Sequence, residues 1–562
     1  MRLRRRIPLP SSARILLRHH LPVVPKFLFS STPSSFKQKQ KDAEIDYPAR
    51  LQSLLAPSSP QMYPLIAEHS VRARQIRDVR AQYDNLSSEE LQNIAAPSIT
   101  VCGRIRSVRA SGKNLVFLDI EQDESKIQGV YRRQGIEGDL DPAEFAKSWE
   151  LLRRGDFISF TGHIARTKAG ELSLRATDKV TLLSPCLHPL PLSLSANSRS
   201  HHRTVDFIIN PRARETIRAR AHVLAVLRQF LDERGFIEVQ TPILSDSAGG
   251  ATARPFKEKD TRKQLALRVA PELWLKRLLV GGFDRVYEVG PVFRNEGIDS
   301  THNPEFTTCE FYMAFASLEQ LVEMTEGLLR EIVKRSCERS GMVREVVEAS
   351  GVVFDQPFRR VDFVGEIERG IGCRLPDSVL SISGGADDAA ALEFFEAVFN
   401  QHKIPIPSPL TVARYLDKLA DHFLEPLLSS AKTPVFLLNF PESVSPLAKS
   451  TTTTSSKDGR THNLARRFEL YLNGKELVNA YEEENSPFAQ RTKFAAQQRD
   501  REKGDAETPL PDEAYLKSME WGLPPTGGWG MGIDRLVMFL TGQERIVEVL
   551  TFGGVKNVVG QE

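Results

Sequence analysis

An Asn-Gly step between two alternating runs is the tightest local constraint on what this chain can become. Phe468-Glu469-Leu470-Tyr471-Leu472 precedes Asn473-Gly474, and Lys475-Glu476-Leu477-Val478-Asn479-Ala480-Tyr481-Glu482-Glu483 follows it. Asn-Gly supplies the positive φ angles of a two-residue hairpin turn, so the segment reads as an antiparallel hairpin. In that register Leu472 faces Lys475, Tyr471 faces Glu476 and Glu469 faces Val478, which sets Glu469 and Glu476 on one face. Such a carboxylate pair has two readings: a hard-oxygen site for Mg²⁺ beside phosphates, or acids turned to solvent.

A second hairpin lies upstream. Arg285 to Phe293 alternates like a strand and reaches Arg294-Asn295-Glu296-Gly297; a loop through His302-Asn303-Pro304 leads to a return strand from Glu305 to Phe315. On that strand Phe306, Thr308, Glu310 and Tyr312 share one face, and the mainly apolar set Thr307, Cys309, Phe311 and Met313 shares the other. Glu310 and Tyr312 therefore project together from a hairpin whose base holds Arg294. Arginine neutralises a phosphate or carboxylate bidentately, and Glu310 with Tyr312 can hold a cation. Two more segments place charge beside glycine. Gly249-Gly250 precedes Arg268-Val269-Ala270-Pro271-Glu272-Leu273, with Glu272 opening an apolar helix. A glycine-rich strand, Gly527-Gly528-Trp529-Gly530-Met531-Gly532, enters the helix Leu536 to Leu540 and delivers Arg535 at its start; its small residues leave room for a flat ligand such as adenine.

The rest of the chain changes texture along its 562 residues. Residues 1–41 carry ten Arg or Lys and no Asp or Glu, so a formal charge of +3 leaves 3 − 10, or −7, for the remainder. Nucleic-acid contact in the body must then come from a local patch. The acid-free, Ser-rich opening has the composition of an organellar targeting segment, read here as mitochondrial; a basic tail that touches RNA is the alternative. Residues 42–96 read as a helical extension, with Arg72, Arg74, Arg77 and Arg80 on a helix ending near Tyr83. From Pro97 to about 188, short strands such as Ile99 to Ile105, Leu115 to Ile120, Phe157 to Ile164 and Glu171 to Ala176 suggest an OB-fold barrel. A Pro-rich linker, 189–204, leads to an α/β region over 205–562, largely helical across 317–425. There Ile217, Ala221, Leu224, Leu227 and Leu231 mark a helix ended by Gly235, and Phe236 to Val239 a strand. The Ser/Thr run from Ser450 to Ser456 reads as a loop. Five scattered cysteines form no CxxC pair, and no apolar run approaches the ~20 residues that cross a bilayer.

Taken together, these segments resemble the three motifs of the class II aminoacyl-tRNA synthetases, in order, with details similar to the lysyl-tRNA synthetase family. Gly235 to Pro242 resembles motif 1; Phe293 to Gly297 with His302 to Phe306 resembles motif 2; Gly530 to Arg535 resembles motif 3. The resemblance runs from about Pro97 to the C-terminus. It implies an α+β chain: an N-terminal OB-fold anticodon-binding barrel, then a catalytic domain with a mainly antiparallel sheet flanked by helices. It also implies a homodimer, with no membrane contact, that ligates L-lysine to tRNA(Lys) using ATP and Mg²⁺ through a lysyl-adenylate, here in the mitochondrial matrix.

Position by position, the resemblance implies that Arg294 holds the α-phosphate and the lysine carboxylate. Glu296, His302, Asn303 and Phe306 hold ATP, Arg535 lies across the nucleotide, and Glu469 and Glu476 ligate Mg²⁺. Gly250 and Glu272 take the α-amino group, Asn479 assists the carboxylate, Tyr481 lies against the lysine stem, and Glu310, Tyr312 and Glu483 surround the ε-ammonium. In the barrel, Phe117 and Gln128, with Arg109 and Glu171 nearby, fall where the family reads the anticodon; Phe117 as barrel core stays open. Strict alternation would turn Asn479, Tyr481 and Glu483 away from Glu476, so a β-bulge between Glu476 and Asn479 is expected. Ser486 stands where the family has Asp, the Gly250–Glu272 stretch is slightly short, and the Ser/Thr run looks inserted.

Overall fold

The computed structural model describes residues 46–56, 62–65, 73–93, 98–134, 140–245, 249–251, 253–257, 265–382, 388–454, 461–505 and 507–554. Residues 1–41, read above as a targeting segment, lie outside them. The chain divides into two compact units, Met1–Pro191 and Leu192–Glu562.

In the first unit five strands make a barrel: β1 (Ile99–Ala110), β2 (Leu115–Gln122), β3 (Ser125–Arg132), β4 (Phe157–Arg166) and β5 (Leu172–Ala176). They run in the order β1-β2-β3-β5-β4, and β1 is long enough to pair with β4 as well and close the ring. Alternation supplies the interior: Val101, Ile105, Val116, Leu118, Ile120, Ile158 and Phe160 are buried together. A helix, Pro142–Glu150, is capped by Asp141 and stacks Phe145 on Tyr131 at 5.0 Å. The sequence reading passed over β3, whose Ser125-Lys126 start and Gly129 blur the apolar period.

The arginine run before the barrel differs from expectation. The helix is Ile76–Tyr83 and buries Ile76, Val79 and Tyr83. Arg74 lies instead in a two-residue strand pairing with Val101, and Arg80 is tied to Asp84 at 3.0 Å. Arg72 falls outside the described residues.

The second unit begins within the residues read as linker: helix Ala196–His201 is already part of it, with Arg199 3.6 Å from Glu548. Its centre is an eight-stranded sheet. The main strands are β6 (Arg285–Phe293), β7 (Glu305–Ala314), β8 (Val435–Leu438), β9 (Arg467–Leu472), β10 (Lys475–Glu482) and β11 (Thr526–Gly532), in the order β8-β9-β10-β11-β7-β6. Short strands Arg359–Asp362 and Ile237–Glu238 pair in parallel at the two edges; the other pairings are antiparallel.

One face of this sheet is packed. Phe468, Ala480, Trp529 and Phe311 lie on it and are buried beneath α1 (Pro211–Asp232), α3 (Leu318–Arg339) and α4 (Ile533–Thr541). Trp529 stacks on Phe311 at 4.7 Å and donates its indole N–H to Thr325 Oγ1 at 2.9 Å; such a ring pair adds about 0.5–1.5 kcal/mol beyond its burial. Helix α1 ends as the sequence suggests, with Gly235 at φ 75°. Helix α2 (Glu272–Val280) sits on the opposite side, against β6 and β7. Ser450–Thr454 corrects the loop reading: it is a strand paired with Thr461–Ala465, and Thr452 Oγ1 donates to Asn463 Oδ1 at 3.0 Å. β-branched threonines favour an extended, cross-paired edge; Ser455 and Ser456 lie outside the described residues.

Candidate active site

The open face of the sheet forms the floor of a cavity of about 700 Å³. Register sets its side chains in rows. Glu310, Gly530 and Asn479 stand side by side, with Glu288 beyond Glu310 and Glu469 beyond Asn479. Two residues along, Tyr312, Gly528 and Tyr481 form the next row. Glycine in the central strand is what recesses the floor. A Cβ on Gly530 would meet Glu310 Cγ at 3.4 Å; one on Gly528 would fall 1.9 Å from Glu483 Oε1 and 2.7 Å from the Tyr312 ring.

The hairpin reaches this floor through a bulge. Leu472 pairs with Lys475 and Tyr471 with Glu476, as the turn requires, but Glu469 pairs with Asn479 rather than with Val478. Leu477 is the extra residue, and it lies in the interval where a bulge was expected. Glu476, Asn479 and Tyr481 consequently all line the cavity.

One end of the cavity is cationic. Arg294 sits over the Phe306 ring, 5.1 Å from its centroid, and donates Nε–H to the Val269 carbonyl at 3.5 Å. Among the described residues only that nitrogen is engaged, so both terminal NH₂ groups can meet an anion. Arg535 donates to the Glu476 carbonyl at 2.7 Å and lies 3.2 Å from His302 Nε2, whose Nδ1 is 2.8 Å from Asp299 Oδ2. Asp534 anchors the start of α4 by accepting from the Thr307 amide at 2.7 Å and from Arg220. Asn303 donates to the Glu305 carbonyl at 2.7 Å, while its buried Oδ1 has no partner among the described residues. A buried orphan acceptor on a cavity wall suits a ligand N–H.

The other end is acidic and mostly buried. Glu272 receives the Tyr481 hydroxyl at 2.8 Å, and Tyr312 donates to Glu310 at 3.2 Å. Burial, aided by Glu272, pushes the Glu310 carboxyl up to about 8 against the pull of Arg294. Burial likewise holds Glu483 well above the usual carboxylate range, with Lys276 opposing. Lys276 is fully enclosed: its ammonium bonds Glu272 at 2.5 Å and pairs with Glu483. Gly250, at φ 96°, approaches so closely that a Cβ there would lie 3.1 Å from Glu272 Cβ.

Between the two ends stand Glu469 and Glu476. Glu469 accepts from Tyr471 at 2.9 Å and pairs with Arg467; burial raises it to about 7, with Arg467 opposing. Arg467 also donates to Asn479 Oδ1 at 3.1 Å and to the Val444 carbonyl at 3.0 Å, tying floor to wall. The two carboxylates are hard oxygen donors that fit Mg²⁺ shared with phosphates. Among the described residues no group of three or more His, Cys, Asp or Glu gathers into a metal cluster, so a metal here would take its remaining ligands from substrate and water.

Comparison with known proteins decides the family. A model described as tRNA synthetases class II (D, K and N) matches residues 195–556, and one for an OB-fold nucleic acid binding domain matches residues 99–182. The chain belongs to the class II tRNA synthetases. Among relatives of this synthetase, the mitochondrial lysine–tRNA ligase of Schizosaccharomyces pombe is 43% identical, over 83% of this chain and 85% of its own. A lysine–tRNA ligase from Cladosporium cladosporioides is 41% identical, over 86% and 80%. One from Enterococcus faecalis is 36% identical, over 86% and 91%.

The synthetase cavity is lined by Gly250, Glu272, Arg294, Glu296, His302, Asn303, Phe306, Glu310, Tyr312, Glu469, Glu476, Asn479, Tyr481 and Arg535. Glu483 is not part of that lining; its Oε1 lies over Gly528, on the side a Cβ would take, and Lys276 engages its other oxygen. Sequence reasoning missed Lys276 and Arg467. A lysine four residues after Glu272, inside an otherwise apolar helix, was the available signal for the first; nothing local marks the second. In the barrel, β1 and β2 pair Arg109 with Phe117, and β2 and β3 pair Asp119 with Gln128, so Arg109, Phe117 and Gln128 share a face. Phe117 is half-buried on the outside, between inward Val116 and Leu118, which excludes it from the barrel core. Ser173 donates to Gln128 at 3.2 Å and to the Glu171 carbonyl at 3.1 Å, bringing Glu171 to the margin of that face.

Proposed function

We propose that the enzyme ligates L-lysine to tRNA(Lys), using ATP and passing through lysyl-adenylate, in mitochondrial translation. The observation that carries this reading is the charge balance at the acidic end. Glu272, Glu310 and Glu483 set three carboxylates against one resident ammonium, Lys276. With all three ionised once substrate is bound, two negative charges are left, matching the two ammonium groups of lysine, while Arg294 stands at the far end for its carboxylate. Burying an ammonium is costly unless it is countercharged. A site of buried polar groups rejects substrates that leave them unpaired by roughly 10⁴–10⁵. Aspartate and asparagine, the other amino acids of the family, bring no second cation.

Catalysis in this reading is positioning and charge stabilisation, without a protein nucleophile. Glu272 and Gly250 hold the α-ammonium; Glu310, Tyr312 and Glu483 hold the ε-ammonium, with Tyr481 along the stem and Asn479 at the carboxylate. Arg294 draws that carboxylate and the α-phosphate together. The carboxylate oxygen attacks the α-phosphorus as pyrophosphate leaves; the terminal ribose hydroxyl of tRNA then takes the acyl group and AMP departs. Glu296, His302, Asn303 and Phe306 position the nucleotide, with Arg535 on its other side. Mg²⁺, held by Glu469 and Glu476, would neutralise phosphate charge.

The outer barrel face at Arg109, Phe117, Gln128 and Glu171 would read the anticodon. The likeness to a mitochondrial relative and the acid-free residues 1–41 support import into the matrix, and the resemblance to the family supports a homodimer. Among the described residues no helix is long and apolar enough to cross a membrane. ATP–pyrophosphate exchange across the twenty amino acids tests the assignment: lysine alone should support rapid exchange, and equal activation of aspartate or asparagine would overturn it.

A further inference from the structure

Lys276 occupies a position that the reaction does not explain. Its ammonium is wholly enclosed, on the second turn of α2, between two carboxylates from different elements. Three phenol rings surround it, with Tyr312, Tyr481 and Tyr515 centroids 5.7–6.0 Å away. Burying an ammonium this completely for packing alone would be unfavourable, since an apolar side chain of the same length would serve.

The partners show what it does. Glu483 has its Oε2 on Lys276, while its Oε1 occupies the space over Gly528 that a side chain there would fill. Glu272 has its Oε1 on Lys276 and both oxygens within 2.8 Å of the Tyr481 hydroxyl, and it lines the cavity. The same internal cation therefore touches the carboxylates at both ends of the amino-acid site.

We propose that Lys276 is a positioning and specificity residue, a built-in countercharge that favours the ionised form of Glu483 and aims Glu272 and Glu483 at the amino-acid site. It acts through those carboxylates and does not itself meet substrate. The inference rests on the lysine reading above and deepens it. The other groups facing this cluster are Glu310 and Tyr312 on β7, Tyr481 on β10 and Tyr515, with Arg277 beyond Tyr515. Burial raises the Glu483 carboxyl, and the adjoining Lys276 ammonium opposes that rise. Without Lys276 the Glu483 carboxyl would hold its proton more tightly, and an incoming ammonium would have to displace it.

The test is Lys276→Met, with the lysine and ATP KM for pyrophosphate exchange measured between about pH 6.5 and 8.5, a range over which such carboxylates change charge. The lysine KM should rise about tenfold or more near neutrality and recover as pH increases, more steeply than in the wild type, whose baseline dependence is set by Glu310; ATP KM should move less than about twofold. A Lys276→Arg variant, which keeps the charge, should retain the wild-type pH slope. If Lys276→Met does not fold, Lys276→Met with Glu483→Gln restores charge balance: its lysine KM should stay high and the extra pH slope should vanish. A raised KM that does not vary with pH, or an unchanged one, in Lys276→Met would overturn the proposal; so would loss of the wild-type pH slope in Lys276→Arg, or an extra slope that survives in the double variant. A wild type that fails to activate lysine would instead overturn the functional reading, which keeps the two failures apart.

Discussion

Asn479 stands opposite Glu469 because Leu477 bulges out of the hairpin that joins them. One extra residue in β10 thereby brings a carboxylate from one strand and an amide from the other to the same cavity floor, and carries Tyr481 along with them. It separates two jobs on one short strand: Glu476 beside Arg535, and the amino-acid contacts beyond.

Inserting one residue between Leu470 and Tyr471 would give Leu477 a partner and restore an unbroken, strictly alternating ladder. Asn479 and Tyr481, held by β11, would keep their face, and Glu476 would turn away from them. Lysine-dependent pyrophosphate exchange should disappear even at saturating lysine. Activity surviving the insertion would show that the bulge does not aim these groups.

Gly528→Ala addresses the floor. Its Cβ would land 1.9 Å from Glu483 Oε1 and 2.7 Å from the Tyr312 ring, so one of them must move. Crowding of this kind costs about 1–3 kcal/mol, or roughly 5- to 150-fold in lysine KM, with ATP KM little changed. Gly530→Ala, with its nearest contact at 3.4 Å, should be milder. Equal effects from the two would contradict the recessed-floor picture.

Proton release is expected when lysine binds. Burial pushes the Glu310 carboxyl up to about 8, so at pH 7 most empty enzyme carries that proton. An ammonium favours the carboxylate, so binding should expel roughly one proton at pH 7, and the release should fade above about pH 8. Lysine affinity then rises with pH up to that value and levels off. The same raised pKa means that this group's contribution to stability is present at acid pH and is lost as pH rises through about 8. Calorimetry in buffers of different ionisation enthalpy reads the release directly; Glu310→Gln should abolish it.

Phe117→Ala tests the barrel. The side chain is half-buried on the outer face, outside the apolar interior. Its loss should leave pyrophosphate exchange intact and lower tRNA charging by roughly 10- to 100-fold, the ~1–3 kcal/mol of one lost base stack. Because Phe117 is not core, the melting temperature should scarcely move, in contrast to the ~3–5 kcal/mol lost when a core phenylalanine is truncated. Unchanged charging would mean that the anticodon is read elsewhere.

Much of this enzyme is legible one segment at a time. The strands Arg285–Phe293 and Glu305–Ala314, the face shared by Phe306, Thr308, Glu310 and Tyr312, and the turn at Asn473-Gly474 follow from alternation and turn chemistry, which are properties of consecutive residues. The Ser/Thr run was misread because a polar strand at an edge has no apolar face to announce it. Its pairing with Thr461–Ala465 depends on a partner that local composition does not name.

What the sequence by itself determined was therefore local: which residues are extended, which faces are apolar, and where Arg294, Glu310, Glu476 and Arg535 sit on their own elements. Only the tertiary structure decided how those elements meet. It set Gly530 between Glu310 and Asn479, moved Glu469 by one partner, and enclosed Lys276 between Glu272 and Glu483, residues 211 positions apart (483 − 272). The physical reason is one of range. Strand period and turn geometry act over a few residues, whereas the charge state of a buried cluster depends on every group that packing brings within a few ångströms, whatever its place in the chain.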